Sequence, residues 1–231
     1  MKKIAIIVAG GTGQRMNMSI PKQFLLLQNK PILLHTLAAF KSAIPEIELI
    51  LVLPENQFDY WDELSTQYPE ILKQTPHKLI AGGETRFHSS LNGIQAIEEQ
   101  EDCLVAIHDG VRPLIDRNTI LNAFKEASIH GNAVVAIPSK DSIRLWNEQE
   151  NAFLAVNRAD IRVIQTPQVF KLSSLTNAFS KGYSPHFTDD ASVVEHAGEK
   201  IHLVDGTYSN IKITTPEDLA LAEILKVETY E

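Results

Sequence analysis

The strongest constraint on this chain is a repeated pairing of short apolar runs with segments of helical period. Runs rich in Ile, Val and Leu fall at Lys3 to Val8, Glu48 to Leu53, Lys78 to Ala81, Leu104 to His108 and Ala133 to Ile137. They are near-continuous rather than alternating, as expected of strands covered on both faces in a mostly parallel sheet. Between them lie helical segments. Pro31 to Ser42 begins on a first-turn proline; Thr85 to Ile97 carries Phe87, Leu91 and Ile94; Arg117 to Ile129 follows Asp116 as an N-cap and stops before Gly131. The spacing therefore predicts a three-layer α/β fold of Rossmann-like kind, with a mostly parallel central sheet.

After Pro138 the rhythm changes. Ile143 to Trp146 and Phe153 to Val156 flank the polar turn Asn147 to Asn151, and no helix follows. This pattern predicts a β-hairpin arm, 142–158, that projects from the sheet. The chain then resumes with an extended Val163 to Phe170, a helix from Leu172 and a second from Asp189 that ends before Gly198. Short strands are expected at Ile201 to Val204 and Asn210 to Ile213. A last helix has Thr215 as N-cap, Pro216 at its first position and Asp218 three residues on. With no repeat or linker, the 231 residues read as one domain.

Composition narrows the function. Lys plus Arg number 21 against 29 Asp plus Glu, a net charge of −8, which argues against nucleic acid as a partner. Hydrophobic residues at 44% and charged ones at 22% are ordinary for a globular chain. A single cysteine, Cys103, excludes an internal disulfide and suits a reducing compartment. The apolar run after Lys2 and Lys3 breaks at Gly10, too soon for a signal-peptide core, and no stretch approaches the roughly 18 to 20 apolar residues of a membrane span. The expectation is a soluble cytoplasmic protein with no membrane partner.

The loop after the first run, Val8-Ala-Gly-Gly-Thr-Gly-Gln-Arg15, can turn tightly and bring amide N–H groups against phosphate oxygens. Met16 stands where a dinucleotide fingerprint needs its third glycine, which disfavours a nicotinamide-dependent oxidoreductase, and the Gly-Lys-Ser/Thr of a P-loop is absent. A second turn, Ala81-Gly-Gly-Glu-Thr-Arg86, and the segment His108-Asp-Gly-Val-Arg-Pro113 also end strands, so all three reach the carboxyl edge, where open α/β sheets bind ligands. Asp109 there could hold a hard cation such as Mg²⁺ in company with substrate phosphates. His108 is read as a hydrogen-bonding strand-end residue, and Glu98 to Asp102 as a solvated helix end. Arg158 and Lys212 add cations further along.

In order, Ala9-Gly-Gly-Thr-Gly-Gln-Arg-Met16, Pro21-Lys-Gln23, Gly82-Gly83 through Arg86 and Ser89, His108 to Pro113, Val156-Asn-Arg158, Gln165-Thr-Pro-Gln168, Thr188-Asp-Asp-Ala-Ser192 and Asn210-Ile-Lys-Ile-Thr214 span nearly the whole chain. The set resembles the 2-C-methyl-D-erythritol 4-phosphate cytidylyltransferases of the non-mevalonate isoprenoid pathway, which join CTP to methylerythritol phosphate and release pyrophosphate. The resemblance implies a nucleotidyltransferase fold, with Arg15, Lys22, Arg158 and Lys212 as catalytic cations. It implies CTP contacts from Ala9, Gly10, Gly11, Gly13, Gly83, Ser89 and Asp109, and Mg²⁺ held with Asp109. Arg112, Ser142, Thr166 and Thr188 fall at its acceptor-side positions. It also implies a homodimer in which the arm crosses to the partner, so that Arg158 acts in trans.

The chain departs from the family pattern at Val8 and Gly10, where many members carry Pro and Ala. Gln14 replaces a second Arg of some members, and Ser142 replaces a Thr. The nearest rival is a ribitol 5-phosphate cytidylyltransferase, which shares the CTP half; Thr188 to Glu195 looks more like the methylerythritol enzymes. A second rival is a nucleotide-binding regulator that has lost catalysis. It predicts loss of Arg15, Lys22 or Asp109, and all three are present.

Overall fold

A computed structural model describes residues 1–10, 20–98 and 103–227. In chain order the elements are Lys3–Val8 (β1), Leu26–Leu27 (β2), Lys30–Pro31 (β3), Ile32–Ala43 (α1), Glu48–Leu53 (β4), Phe58–Gln67 (α2), Pro69–Gln74 (α3), His77–Ala81 (β5), Arg86–Gln95 (α4) and Leu104–Asp109 (β6). Then follow Arg117–His130 (α5), Asn132–Pro138 (β7), Arg144–Asn147 (β8), Ala152–Ala155 (β9), Arg162–Lys171 (β10), Leu172–Phe179 (α6), Asp190–His196 (α7), Leu203–Asp205 (β11) and Pro216–Val227 (α8). The central sheet has strand order β11-β7-β10-β6-β1-β4-β5. Only β10 runs antiparallel to its neighbours.

The continuous apolar runs have the cause expected of them. Along β1, Ala5 and Ile7 face one core with α1 and α5, while Ile4, Ile6 and Val8 face a second core with α4, α6 and α7. In β6 the same split puts Leu104 and Ala106 on the first side and Val105 and Ile107 on the second. Both faces of the central strands are covered, so neither set of alternate positions can be polar.

Helix ends follow the cap chemistry. Asp116 accepts from the Thr119 amide, and Gly131 closes α5 at φ 89°. At α8 the Thr215 hydroxyl accepts from Asp218 N, while Asp218 accepts from Thr215 N at 2.9 Å. The arm forms as a separate two-stranded sheet of β8 and β9.

Two expectations need correction. Asn210 to Ile213 is not a strand: the Asn210 amide group is turned inward onto Gln165 and Thr166, and only Ile213 N reaches a neighbouring element, at Val111 O. The helix expected over Thr85 to Ile97 is α4, shorter at its end, with Thr85 outside as the cap. Helices α2 and α3 and the β2–β3 hairpin were not anticipated. Among the described residues, no helix is long and apolar enough to cross a membrane.

Candidate active site

The parallel strands end together. The amides of Ala9, Gly82 and Gly110 continue the ladder onto Val52 O, Leu53 O and Val8 O at 2.9, 2.7 and 2.8 Å. That pins three turns along one edge of the sheet. Between them opens a cavity of about 290 Å³, whose lining includes Ala9, Gly10, Lys22, Gly83, Arg86, Ser89, Asp109 and Lys212. Thus seven residues named in advance (Ala9, Gly10, Lys22, Gly83, Ser89, Asp109 and Lys212) converge on one space. A larger cavity of about 650 Å³ lies elsewhere, between α1 and the end of α8, and holds none of them.

The Gly82-Gly83 turn is fixed by Ser89. Gly83 N donates to Ser89 Oγ at 3.1 Å, and a Cβ on Gly83 would lie 2.3 Å from His88 Cβ, so no larger residue fits against the start of α4. On the other side, Gln23 Nε2 donates to Ala9 O at 2.8 Å, tying the turn Lys22–Phe24 to the first loop. Lys22 itself is buried.

Asp109 is the electrostatic centre. Its Oδ2 lies 3.2 Å from Arg112 Nε and 3.1 Å from Lys212 Nζ, and its Oδ1 lies 3.6 Å from Arg86 Nε. Burial pushes the carboxyl upward, but Arg86, Lys212 and Arg112 outweigh it and hold Asp109 well below the usual carboxylate range. Arg86 is locked in turn by Asp190, from Nη2 to Oδ2 at 2.7 Å. Burial disfavours its charge; Asp190 and Asp109 together raise its pKa above the ordinary value nonetheless.

Behind this layer sits a buried polar support. Thr166 Oγ1 accepts from Asp109 N at 3.1 Å and meets His108 Nδ1 at 3.0 Å. Arg112 Nη1 donates to Asn210 O at 2.7 Å, and Asn210 Nδ2 donates to Thr166 O at 2.9 Å. Arg112 and Thr166 are therefore positioning residues for Asp109 in this chain. Neither lines the cavity. His108 is fully buried, and burial lowers its pKa to about 3, so the imidazole is neutral, in keeping with a hydrogen-bonding role.

The remaining candidates stand apart. Arg158 is exposed and donates from Nη1 to Lys140 O at 2.8 Å, beside Ser139 and Asn157 and away from Asp109. Ser142 and Thr188 are exposed and line no part of the cavity. Gly11, Gly13 and Arg15 lie outside the described residues. The sequence reading left out Arg86, Asp190, Asn210 and Gln23 as site residues, although the first sits in the second glycine turn. A buried Asp190 needs a cationic partner, but its partner lies about a hundred positions upstream, beyond the reach of local pattern.

An open α/β sheet that gathers glycine turns, lysines and a clamped aspartate at its carboxyl edge is suited to a phosphorylated ligand, and the sequence relatives make the class that of the nucleotidyltransferases. The sequence model of the 2-C-methyl-D-erythritol 4-phosphate cytidylyltransferase family matches residues 3–227. The enzyme of that name from Azobacteroides pseudotrichonymphae is 48% identical over 227 residues, covering 97% of this chain and 98% of the relative. That from Bacteroides fragilis is 42% identical over 225 residues, covering 97% and 100%. The crystal structure of 4-diphosphocytidyl-2C-methyl-D-erythritol synthase from Anaerococcus prevotii superposes with a TM-score of 0.82 at 28% identity, covering 98% of each chain. The cytidylyltransferase from Thermus thermophilus gives 0.75 at 30%, covering 97% and 98%. The chain belongs to the 2-C-methyl-D-erythritol 4-phosphate cytidylyltransferase family.

Proposed function

We propose that the cavity around Asp109 transfers the cytidylyl group of CTP to the phosphate of 2-C-methyl-D-erythritol 4-phosphate, a step of isoprenoid biosynthesis. The observation that carries this reading is the convergence of Lys22, Arg86 and Lys212 on one cavity between two glycine turns, in a chain of this family. An acceptor phosphate oxygen attacks the α-phosphorus of CTP. A new P–O bond forms, the bond from the α-phosphorus to its bridging oxygen breaks, and pyrophosphate leaves with the electron pair. No group on the protein is alkylated or phosphorylated. Catalysis then rests on position and charge.

The roles divide by location. Ala9, Gly10 and Gly83 offer backbone at close range to the nucleotide, and Ser89 holds the second turn; Gly11 and Gly13 are assigned to CTP by the family motif alone. Lys22 and Lys212, with Arg15, stabilise the negative charge that grows on the phosphoryl oxygens. Arg86 and Arg112 keep Asp109 ionised and in place.

Mg²⁺ is the proposed cation. Asp109 Oδ2 is taken up by Arg112 and Lys212, whereas Oδ1 faces Arg86 at 3.6 Å, longer than a hydrogen bond, so one carboxylate oxygen suits a hard ion that otherwise keeps waters and phosphates. The ion would neutralise the triphosphate when bound.

The assembly is proposed as a homodimer, with the chain a single domain and 142–158 its dimerisation arm. Leu145, Trp146 and Phe153 are exposed on that arm, an apolar surface suited to burial against a second copy. Arg158, Ser142 and Thr188 would then meet methylerythritol phosphate across the interface. The proposed compartment is the cytoplasm, where one buried thiol stays reduced. Pyrophosphate release from CTP and Mg²⁺ with methylerythritol phosphate, and separately with ribitol 5-phosphate, tests the acceptor. Turnover with the first and little with the second is expected; the reverse preference overturns the assignment.

A further inference from the structure

At the opposite edge of the sheet from Asp109, the last turn of α5 and the residue before β11 bring two imidazoles onto one carboxylate. Glu126 and His130 share a helix face, with Glu126 Oε2 3.4 Å from His130 Nε2; His202 Nε2 lies 3.7 Å from that same oxygen. All three donor atoms lie within 4.8 Å of one another, and the two rings stack with centroids 3.8 Å apart. The fourteen residues of α5 separate this cluster from the catalytic edge by about 20 Å along the helix axis.

These separations are not those of hydrogen bonds. A nitrogen donating to a carboxylate sits at about 2.7 to 3.2 Å, shorter than both contacts. Donor atoms bound to one tetrahedral ion through bonds of about 2.0 to 2.1 Å stand about 3.4 Å from each other. The observed 3.4 and 3.7 Å are longer than such hydrogen bonds and lie within a few tenths of an ångström of that spacing.

The scaffold is also fixed. His202 N donates to Asn132 Oδ1 at 2.8 Å, and Val134 N donates to His202 O at 2.8 Å, so the backbone of His202 is held on both sides. His130 sits one residue before the glycine that closes α5. Lys125 Nζ, 3.5 Å away, engages the other oxygen of Glu126 and leaves Oε2 to the histidines.

We propose that Glu126, His130 and His202 bind a transition-metal ion, with Zn²⁺ as the favoured occupant. Two imidazoles and a carboxylate are a donor set that takes Zn²⁺, Co²⁺, Ni²⁺ or Cu²⁺ in preference to Mg²⁺. Three protein ligands leave a fourth position for water. The stacked rings must splay for both nitrogen lone pairs to converge, and each ring has an exposed rim, with side chains 42% and 38% accessible, that lets it turn. The site is separate from the Mg²⁺ proposed with Asp109.

The test uses the full chain without a histidine tag, stripped with chelator and loaded with Zn²⁺ alone, then with Co²⁺ alone. Metal retained after desalting is counted, and the visible absorption of Co²⁺ reports coordination. One Zn²⁺ per chain and a strong tetrahedral Co²⁺ band are expected. His130→Ala, His202→Ala and Glu126→Gln should each lose the bound equivalent while circular dichroism and cytidylyl transfer stay at the wild-type level. Should a histidine variant lose its fold, the isosteric Glu126→Gln decides. Failure of the wild type to retain stoichiometric Zn²⁺, or undiminished retention in Glu126→Gln or in either folded histidine variant, overturns the proposal.

Discussion

Arg86 on α4, in the wall of the Asp109 cavity, and Asp190 on α7 form an ion pair of 2.7 Å, and Asp190 is 1% exposed. The pair ties the second glycine turn to a helix more than a hundred residues later. Ser90 Oγ donates to the other oxygen of Asp190 at 2.8 Å, so this carboxylate is held from two directions. Asp190→Ala leaves the Arg86 guanidinium, 27% exposed at the cavity, facing Asp109 at 3.6 Å, so the loss should stay below the roughly 3 to 5 kcal/mol of a fully buried pair but approach that order. Urea unfolding of the variant should show a loss of that order. A loss under about 1 kcal/mol would mean that Arg86 finds water or another partner.

Gly83 is the closest contact in the same turn. A methyl group there meets His88 Cβ at 2.3 Å, and the start of α4 must shift to admit it. Gly83→Ala should destabilise the fold by about 1 to 3 kcal/mol. The shift also moves backbone assigned to CTP, so KM for CTP should rise. Steady-state kinetics with varied CTP, alongside a melting curve, read both effects; an unchanged KM would remove Gly83 from the nucleotide site.

Lys22 is buried and lines the same cavity as Asp109 and Lys212. Lys22→Met keeps most of the stem volume and removes the charge. Turnover should fall on the order of 10² to 10³, the effect typical of losing one preorganised charge stabiliser. Circular dichroism should not change. Near wild-type turnover would contradict the role.

The fold was legible in the sequence where periodicity was strong, and the site only where cations sat beside glycines. β1 and β4 match their expected bounds because both faces of each strand are buried, so composition marks the strand directly. Helix α2 escaped because only Trp61 and Leu64 on it are buried, too few to stand out from its polar residues. Asn210 to Ile213 looked like a strand for its alternating apolar pattern, yet Ile211 and Ile213 pack into a small third core with Leu27, Val111 and Ala222 without joining a sheet. In the site, Gly83 and Asp109 were visible because each lies in a strand-end motif, whereas Lys22, beyond the first glycine loop, was reached through the family resemblance. Asp190 and Asn210 act through partners distant in sequence, a relation no local spacing encodes.

Acid should weaken the fold before it reaches the carboxylate range. Burial lowers the pKa of His35 to about 4, and its Nε2 lies 2.7 Å from Leu27 O. Lys226 and Lys30 act in the same direction, while the Leu27 carbonyl and Glu223 oppose it. The unfolded chain, with a histidine pKa near 6.5, binds more protons than the folded one between about 6.5 and 4, so stability rises with pH across that window. It is lost as pH falls through it. The urea midpoint of the wild type should therefore drop from pH 6.5 to 4. His35→Gln, which can still donate to Leu27 O, should flatten the drop, and an identical slope in the variant would assign the effect to other groups.

Arg158 lies outside the cavity of its own chain, bonded to Lys140 O, which makes subunit sharing directly testable. In a two-fold dimer with exchanged arms, each site takes Lys22 from one copy and Arg158 from the other. Lys22→Met and Arg158→Ala dimers should both be nearly inactive. When the two are unfolded together and refolded at equal amounts, half the dimers are mixed, and each mixed dimer regains one intact site of two. Activity should recover to about a quarter of wild type if both sites act independently. Were Arg158 to serve the cavity of its own chain, each mixed dimer would hold two defective sites, and mixing would restore nothing.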